Sequence, residues 1–146
     1  MSVTIEQLPN AGNIRTHTRC IMCGDLNQLS LRLKFQPGET GDVSAQFQAN
    51  ALLQGYDGIL HGGVISALLD SAMAHCLFQR NIEAVTGELC IRFVAPVPCD
   101  AKVTLRAWLA SETPLLYQLK AELSFAGAVM ARADAKFMQR LAGPGL

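Results

Sequence analysis

The segment from Gly62 to Gln79 has the pattern of an apolar helix, and its only formal charge is the carboxylate of Asp70. Projected at 3.6 residues per turn, Asp70 shares its side of the helix with Ser66 and Met73, so no charged stripe is present to solvate it. A helix that is apolar on every side is normally buried. We therefore expect a desolvated carboxylate, which suits a catalytic base or nucleophile. An Asp that reaches a solvent gap or makes a structural hydrogen bond is an equal alternative.

Composition limits the class of protein and its partners. The chain has 146 residues, half of them hydrophobic, which suffices for one buried core. Twelve basic and twelve acidic side chains leave no net charge, so we expect neither nucleic acid nor a membrane as a partner. The apolar stretch 59–78 contains Asp70 and two histidines, which argues against a transmembrane helix. Five cysteines and the lack of a secretory signal pattern predict a reducing, cytoplasmic location.

The order of predicted elements indicates an α+β fold. Apolar and polar residues alternate over 29–36 and 43–50, which predicts a hairpin of two half-buried strands. A glycine-bearing loop then leads to a helix predicted from Gly62 to Arg80. Short connections favour antiparallel pairing of four further strands. These strands are predicted over 84–95, 101–111, 115–126 and 128–139.

These patterns define one domain. Residues 1–19 show no sustained periodicity and are predicted to form an irregular lead-in. The domain is predicted over residues 20–140, and the glycine- and proline-containing end over 141–146 is predicted to be a flexible tail. One sheet covers only one side of the helix, so we expect a second copy of the chain to cover the other apolar sides.

With these elements and residues in hand, the chain resembles the hot-dog-fold acyl-CoA thioesterases of the phenylacetate-pathway (PaaI-like) family. The matching residues are the run from Gln54 to Gly63, Asp70 seven residues later, and the run from Thr86 to Leu89 that opens the next strand. The resemblance covers roughly residues 20–140. It implies a hot-dog fold, in which a six-stranded antiparallel sheet wraps around one long central helix.

The resemblance also implies an activity and roles for individual residues. The activity is hydrolysis of an acyl-CoA thioester to a carboxylic acid and CoA, with CoA as part of the substrate and no separate cofactor. The backbone N–H of Gly62 or Gly63 would hold the thioester carbonyl, and Asp70 would act as nucleophile or general base. Thr86 would position Asp70 or water.

Residues near the helix start complete the candidate site. Some relatives carry Asn or Gln six residues before the His; this chain has Gly55 there and Gln54 one residue earlier, and both are candidate substrate-binding residues. His61 is a candidate base, although beside a helix N-terminus it is better suited to ordering the loop by hydrogen bonding. His75 lies about 140° around the helix from Asp70, so we expect no His–Asp pair within one chain.

The physical chemistry of thioester hydrolysis favours this arrangement and requires two chains. Unpaired N–H groups at a helix start stabilise the negative charge that develops on a carbonyl oxygen, and glycines leave room for a substrate to approach. Gly62 and Asp70 are eight residues apart, or about 12 Å along a helix. A base acts over roughly 3 Å, so we expect a partner's Asp70 to meet this Gly62 in a homodimer or a dimer of dimers.

A second motif has the spacing of metal ligands. Cys20 and Cys23 form a Cys-x-x-Cys pair followed by Gly24, and His17 lies three residues upstream. A zinc site normally needs four ligands from two such clusters, and the sequence has no second Cys-x-x-Cys. The spacing therefore favours a tight turn with reduced thiols, and no metal site is expected.

Three functions stay open at this point. A hydratase or dehydratase for acyl thioesters ranks lower because His61 has no acidic neighbour in sequence. A sensor that binds acyl-CoA without hydrolysing it would not need Asp70. CoA itself would require basic residues around the cleft. The candidates are Arg92, Lys102, Arg106, Arg132, Lys136 and Arg140.

Overall fold

The computed structural model describes residues 17–140. Most of the predicted lead-in (1–19) and all of the predicted tail (141–146) lie outside the described residues. Within them the chain forms one long helix, α1, a short 3-10 helix at Ala51–Leu53, and six strands. The elements are β1 Gln36–Pro37, β2 Val43–Gln48, α1 Gly62–Phe78, β3 Ala84–Phe93, β4 Lys102–Thr113, β5 Leu116–Phe125 and β6 Ala128–Gln139.

The six strands form one sheet in the order β1-β2-β4-β5-β6-β3, and every neighbouring pair is antiparallel. The helix packs against this sheet and contacts β2 to β6. This architecture confirms the predicted α+β fold with one central helix and a six-stranded antiparallel sheet. No helix between residues 17 and 140 is both long enough and apolar enough to span a bilayer.

The core lies between one side of α1 and the inward face of the sheet. Leu68, Leu69, Met73 and Leu77 of the helix are almost completely buried. Full burial of each such side chain contributes about 1.5–3 kcal/mol relative to exposure. Alternate residues of β4, β5 and β6 supply the opposing layer, as period 2 requires. They include Val103, Leu105, Leu119, Leu123, Ala131, Ala133, Ala135 and Phe137.

The first predicted strand is wrong over most of its length. Within 29–36 only Gln36 pairs with β2, as the first residue of the two-residue strand β1. The N–H groups of Leu31 and Leu33 instead donate to the carbonyls of Ile21 and Met22, and Arg32 has a φ of +53° that interrupts an extended chain. Leu33 is nevertheless buried. The alternation therefore identified an inward-facing side chain correctly, but the backbone partners come from the preceding loop.

The other boundaries agree with the predictions to within about two residues. The turn between β5 and β6 is the tight connection expected at Ala126-Gly127, where both residues have positive φ (51° and 83°). The helix ends at Phe78, two residues before the predicted Arg80. Asn81, at a φ of 58°, then turns the chain towards β3.

The two edges of the sheet differ in length. At one edge, β1 has only two residues, and very short edge strands discourage unwanted pairing. At the other edge, β3 has ten residues and pairs on one side only, with β6. A register shift between Thr86 and Glu88 places a bulge at Gly87. The edge formed by β3 therefore offers a long row of backbone groups that this chain, over its described residues, leaves without a partner strand.

Candidate active site

The start of α1 is capped by the imidazole of His61. Its Nδ1 accepts a hydrogen bond from the N–H of Gly63 at 2.8 Å, and its backbone carbonyl accepts one from the N–H of Ile65. This cap satisfies one of the donors that a helix leaves unpaired at its start. The bond requires an unprotonated Nδ1, so the proton of the neutral ring is assigned to Nε2.

The hydrogen bond to His61 distinguishes Gly63 from Gly62, although the sequence analysis gives the two as alternative donors. The Gly63 N–H is already donated to His61, so it is not free to hold a carbonyl oxygen in this conformation. Among residues 17–140, the N–H of Gly62 has no hydrogen-bond acceptor. Of the two candidate donors, the N–H of Gly62 is the one left unoccupied within the described residues.

The surroundings of Gly62 are shaped by close contacts. A Cβ added at Gly62 would lie 3.4 Å from Cζ of Phe93, and one added at Gly63 would lie 3.0 Å from the His61 ring. Beside them is an open depression of about 390 Å³. Its lining residues are Gly55, Tyr56, Ile59, Leu60, His61 and Gly62.

Gly55 lines this depression, and Gln54 supports the loop beside it. The side-chain Oε1 of Gln54 accepts a hydrogen bond from the N–H of Gly58 at 3.0 Å, so the side chain closes the loop. A Cβ at Gly55 would lie 3.3 Å from Cδ2 of His61, so a glycine leaves room for the capping ring. Gly55 thus shapes the depression directly, whereas Gln54 acts only through the loop that it closes.

Asp70 is held by the strand that follows the helix. The Thr86 hydroxyl donates to Oδ1 of Asp70 at 2.6 Å, a distance typical of a charge-assisted bond. Within residues 17–140, Oδ2 has no hydrogen-bond donor and Asp70 has no ion pair. One oxygen is therefore oriented and the other stays open.

The expected burial of Asp70 is not achieved within the single chain, where this residue is partly exposed. The reason is its position. Asp70 lies on the flank of α1 that faces β3, and β3 is the last strand of the sheet, so no further strand of the described chain covers it. The helix is apolar, but its flank at this point reaches the surface.

The chain brings its candidate residues together in two separate groups. Gly62 and Phe93 lie at one end of the contact between α1 and β3, with His61 beside them. Asp70 lies further along the helix, next to Thr86 of β3. The eight residues between Gly62 and Asp70 correspond to about 12 Å, so one chain does not place both against the same carbonyl carbon.

His75 takes no part in either group. Its ring stacks on Phe35 with centroids 4.6 Å apart, on another side of the helix. Burial, with smaller contributions from His17 and Lys34, lowers the pKa of His75 to about 4. No contact with Asp70 is found within the described chain, in agreement with the predicted angle around the helix.

The six basic candidates fall into two sets of three. Arg106, Lys136 and Arg140 form ion pairs with Asp42, Glu88 and Glu83 respectively. Arg92, Lys102 and Arg132 form none with the residues that the structure describes. Arg92 of β3 and Arg132 of β6 are direct cross-strand neighbours.

Phe93 and Tyr56 were missed by the sequence analysis as site residues. Phe93 is 53% exposed and Tyr56 is 86% exposed, although both are large and aromatic. The alternation that placed Phe93 on one face of β3 contained no information about how far the helix extends beneath it. Their proximity to Gly62 is a tertiary feature.

Part of the chain is similar to known thioesterases. Residues 57–113 match the family described as the thioesterase superfamily. The human acyl-coenzyme A thioesterase THEM5 is 31% identical over 94 residues, which cover 64% of this chain and 37% of that protein. The bovine acyl-coenzyme A thioesterase THEM4 is 35% identical over 63 residues, covering 43% and 25%. The chain thus spans well under half the length of these relatives.

Solved structures give the same result over more of the chain. A mutant of the phenylacetic acid degradation protein PaaI from Thermus thermophilus has a TM-score of 0.68 and 25% identity, covering 76% of this chain and 95% of that one. A hypothetical thioesterase protein with coenzyme A from Streptococcus pneumoniae has a TM-score of 0.69 and 15% identity, covering 74% and 85%. The central helix and the antiparallel sheet agree with the hot-dog fold of these structures, and residues 57–113 of the chain are similar to the thioesterase superfamily.

Proposed function

We propose that this chain hydrolyses an acyl-CoA thioester, with Asp70 as nucleophile or general base and the N–H of Gly62 as the donor to the carbonyl oxygen. The single observation that carries the proposal is the 2.6 Å hydrogen bond from Thr86, which orients Asp70 and leaves Oδ2 open. Relatives named acyl-coenzyme A thioesterases support the substrate class, as does a structural neighbour with coenzyme A.

The residues support two chemical routes. In the first, Oδ2 of Asp70 attacks the carbonyl carbon, the C–S bond breaks, CoA leaves as a thiolate, and water then hydrolyses the mixed anhydride. In the second, Asp70 takes a proton from water as the oxygen of that water adds to the carbonyl carbon. The tetrahedral intermediate then collapses with release of the thiolate. In both routes negative charge develops on the carbonyl oxygen, where the N–H of Gly62 would stabilise it.

The active site is proposed to be shared between two chains of a homodimer, with two sites per dimer. The ten-residue edge strand β3 supports this because a long, unprotected edge readily pairs with another strand. Large apolar side chains on and beside this edge also support a dimer because a partner chain would cover them. They are between 38% and 53% exposed: Val85, Leu89, Phe93 and Val94. A two-fold axis beside β3 would bring the partner's Asp70 towards this Gly62. Assembly of two dimers into a tetramer stays a prediction.

The phosphates of CoA are proposed to bind near Arg92 and Arg132. Like charges directly opposite each other on neighbouring strands destabilise a sheet, so Arg92 gains from an anionic ligand, whereas Arg132 also has Glu122 directly opposite it on β5. Arg92 directly precedes Phe93, which approaches the Gly62 position, so its side chain points to the opposite face of the sheet. The phosphates would therefore bind on the outer face, and CoA would pass around the edge formed by β3. Guanidinium groups also bind phosphate well because they donate two parallel hydrogen bonds.

The location is proposed to be a reducing compartment such as the cytoplasm. All five cysteines of the chain are free thiols, which supports this proposal. The thiols also require a thiol-release assay that follows the product CoA separately from the protein.

A panel of acyl-CoA substrates tests the function. We expect the full chain to release CoA from at least one member of a set of short, long and aromatic acyl-CoAs. Measurable binding without CoA release from any member would favour the sensor and overturn hydrolysis. Conversion of enoyl-CoA to hydroxyacyl-CoA, without CoA release, would favour the hydratase.

A further inference from the structure

A cluster of metal-ligating side chains lies at the start of the described chain, away from Asp70. The ligand atoms of His17, Cys20 and Cys23 all lie within 4.8 Å of one another. The Sγ of Cys23 is 3.6 Å from Nδ1 of His17. The spacing along the sequence suggested only a turn, whereas the fold places an imidazole nitrogen beside both sulfurs.

The loop that carries the two cysteines presents their sulfur atoms together. The N–H of Met22 lies 3.3 Å from Sγ of Cys20 and donates to it, and the N–H of Gly24 donates to the Cys20 carbonyl at 2.8 Å. A Cβ at Gly24 would lie 2.5 Å from the backbone N of Cys20, so this tight turn admits only glycine. An N–H directed at sulfur stabilises a thiolate, which is the form that binds metal.

A fourth ligand atom is available from the helix. Nε2 of His75 is buried and has no hydrogen-bond partner within the described residues. A buried polar atom left unpaired costs about 1–3 kcal/mol. The His75 ring centroid is 6.2 Å from that of His17. Two imidazoles on one zinc ion, with Zn–N bonds of about 2.0–2.1 Å, have ring centres roughly 5 Å apart, so the two rings would have to approach each other by at least about 1 Å.

We propose that this cluster is a structural zinc site, with His17, Cys20, Cys23 and His75 as its four ligands. Two thiolates and two imidazoles form the Cys2His2 set that suits tetrahedral Zn²⁺. The sequence has no second Cys-x-x-Cys, but this proposal does not require one because two histidines supply the other two ligands. His17 comes from the segment before the sheet and His75 from α1. The ion would therefore fasten the irregular segment 17–35 to the helix.

Metal analysis of the purified full chain tests the site. We expect about one zinc ion per chain after growth with added zinc, and at least a tenfold lower content in Cys23→Ser and His17→Ala. Cys90→Ser is the matched control because Cys90 is an exposed cysteine of β3, outside the cluster. Co²⁺ added to the metal-free wild type should give the visible absorption of a tetrahedral thiolate site.

Stability provides a readout that does not depend on variants. Zinc added to metal-free wild-type protein should raise Tm, and a chelator should lower it again.

His75→Ala should weaken zinc binding at least tenfold, and wild-type affinity in this variant would overturn the assignment of the fourth ligand. Wild-type protein that contains no zinc and shows no Tm shift on zinc addition would overturn the site. Titration of three free thiols instead of five, after unfolding with a chelator of protein purified without reductant, would also do so because it would indicate a Cys20–Cys23 disulfide.

Discussion

The Thr86 hydroxyl donates to Oδ1 of Asp70 across the junction between α1 and the edge strand β3, with the two oxygens 2.6 Å apart. Thr86 immediately precedes the bulge at Gly87, and such bulges re-aim neighbouring side chains in a strand. The carboxylate thus has one oriented oxygen and one open oxygen at an unpaired sheet edge. This geometry decides which substitutions are informative.

Replacement of Asp70 by Asn should abolish most turnover while preserving the fold. We expect kcat to fall by about 10²–10⁴-fold, the usual contribution of a positioned acid or base. The amide keeps the shape of the side chain, so Tm should change little. Asp100→Asn is the matched control because Asp100 is also an aspartate that reaches solvent. Near-normal CoA release by Asp70→Asn would remove Asp70 from the reaction.

Thr86 should act as a positioning residue. Thr86→Val removes the hydroxyl and keeps the β-branched shape, so we expect kcat to fall by about tenfold, with a smaller change in KM. Thr86→Ser retains the donor and should recover most of the rate. A structural role alone would lower Tm in the Val variant without altering the pH profile of kcat. Equal kcat values for both variants would contradict the assignment.

The two glycines should respond differently to the same added methyl group. Gly63→Ala places a Cβ 3.0 Å from the His61 ring, so it should disturb the cap and destabilise the fold by about 1 kcal/mol. Gly62→Ala meets only the tip of Phe93, so its Tm should stay close to wild type. Its kcat should nevertheless fall, because the methyl group narrows the approach to the free N–H. Thermal unfolding and steady-state kinetics on both variants separate these effects.

Charge on the edge strand should dissociate the proposed dimer. Leu89→Lys places a cation on a 38% exposed position of β3, and we expect monomers by sedimentation together with loss of CoA release. Leu29→Lys is the control because Leu29 is 75% exposed but lies in the loop before the sheet. If Leu89→Lys is monomeric and fully active at high dilution, the site is complete within one chain.

Loss of Arg92 or Arg132 should weaken the binding of substrates that carry phosphates and leave other substrates unaffected. Arg92→Ala and Arg132→Ala should each raise KM for an acyl-CoA by about tenfold, because each removes a charge-assisted contact. The same acyl group on pantetheine, which carries no phosphate, should show unchanged kinetics. Added salt should weaken acyl-CoA binding to the wild type more than to either variant. Equal effects on both substrates would place these arginines in a structural role.

Much of the fold was predictable because its signals are local. Period-2 alternation identified β2 and the four strands after the helix, and the apolar run gave α1 to within two residues. The same kind of signal failed at 29–36. An alternating pattern specifies which side chains point inward, but it does not specify which backbone groups the segment will meet.

The candidate site also combines features that the sequence predicts with features that depend on the tertiary structure. The sequence by itself determined a lone acid on an apolar helix and a glycine pair at the helix start. Through family resemblance it also indicated Thr86 as a candidate positioning residue. Only the tertiary structure decided that Thr86 contacts Asp70, that His61 occupies the Gly63 N–H, and that His17 lies beside two thiols and near His75. These contacts join residues from different elements or depend on cap geometry. They follow from strand order and side-chain placement, which one-dimensional periodicity does not encode.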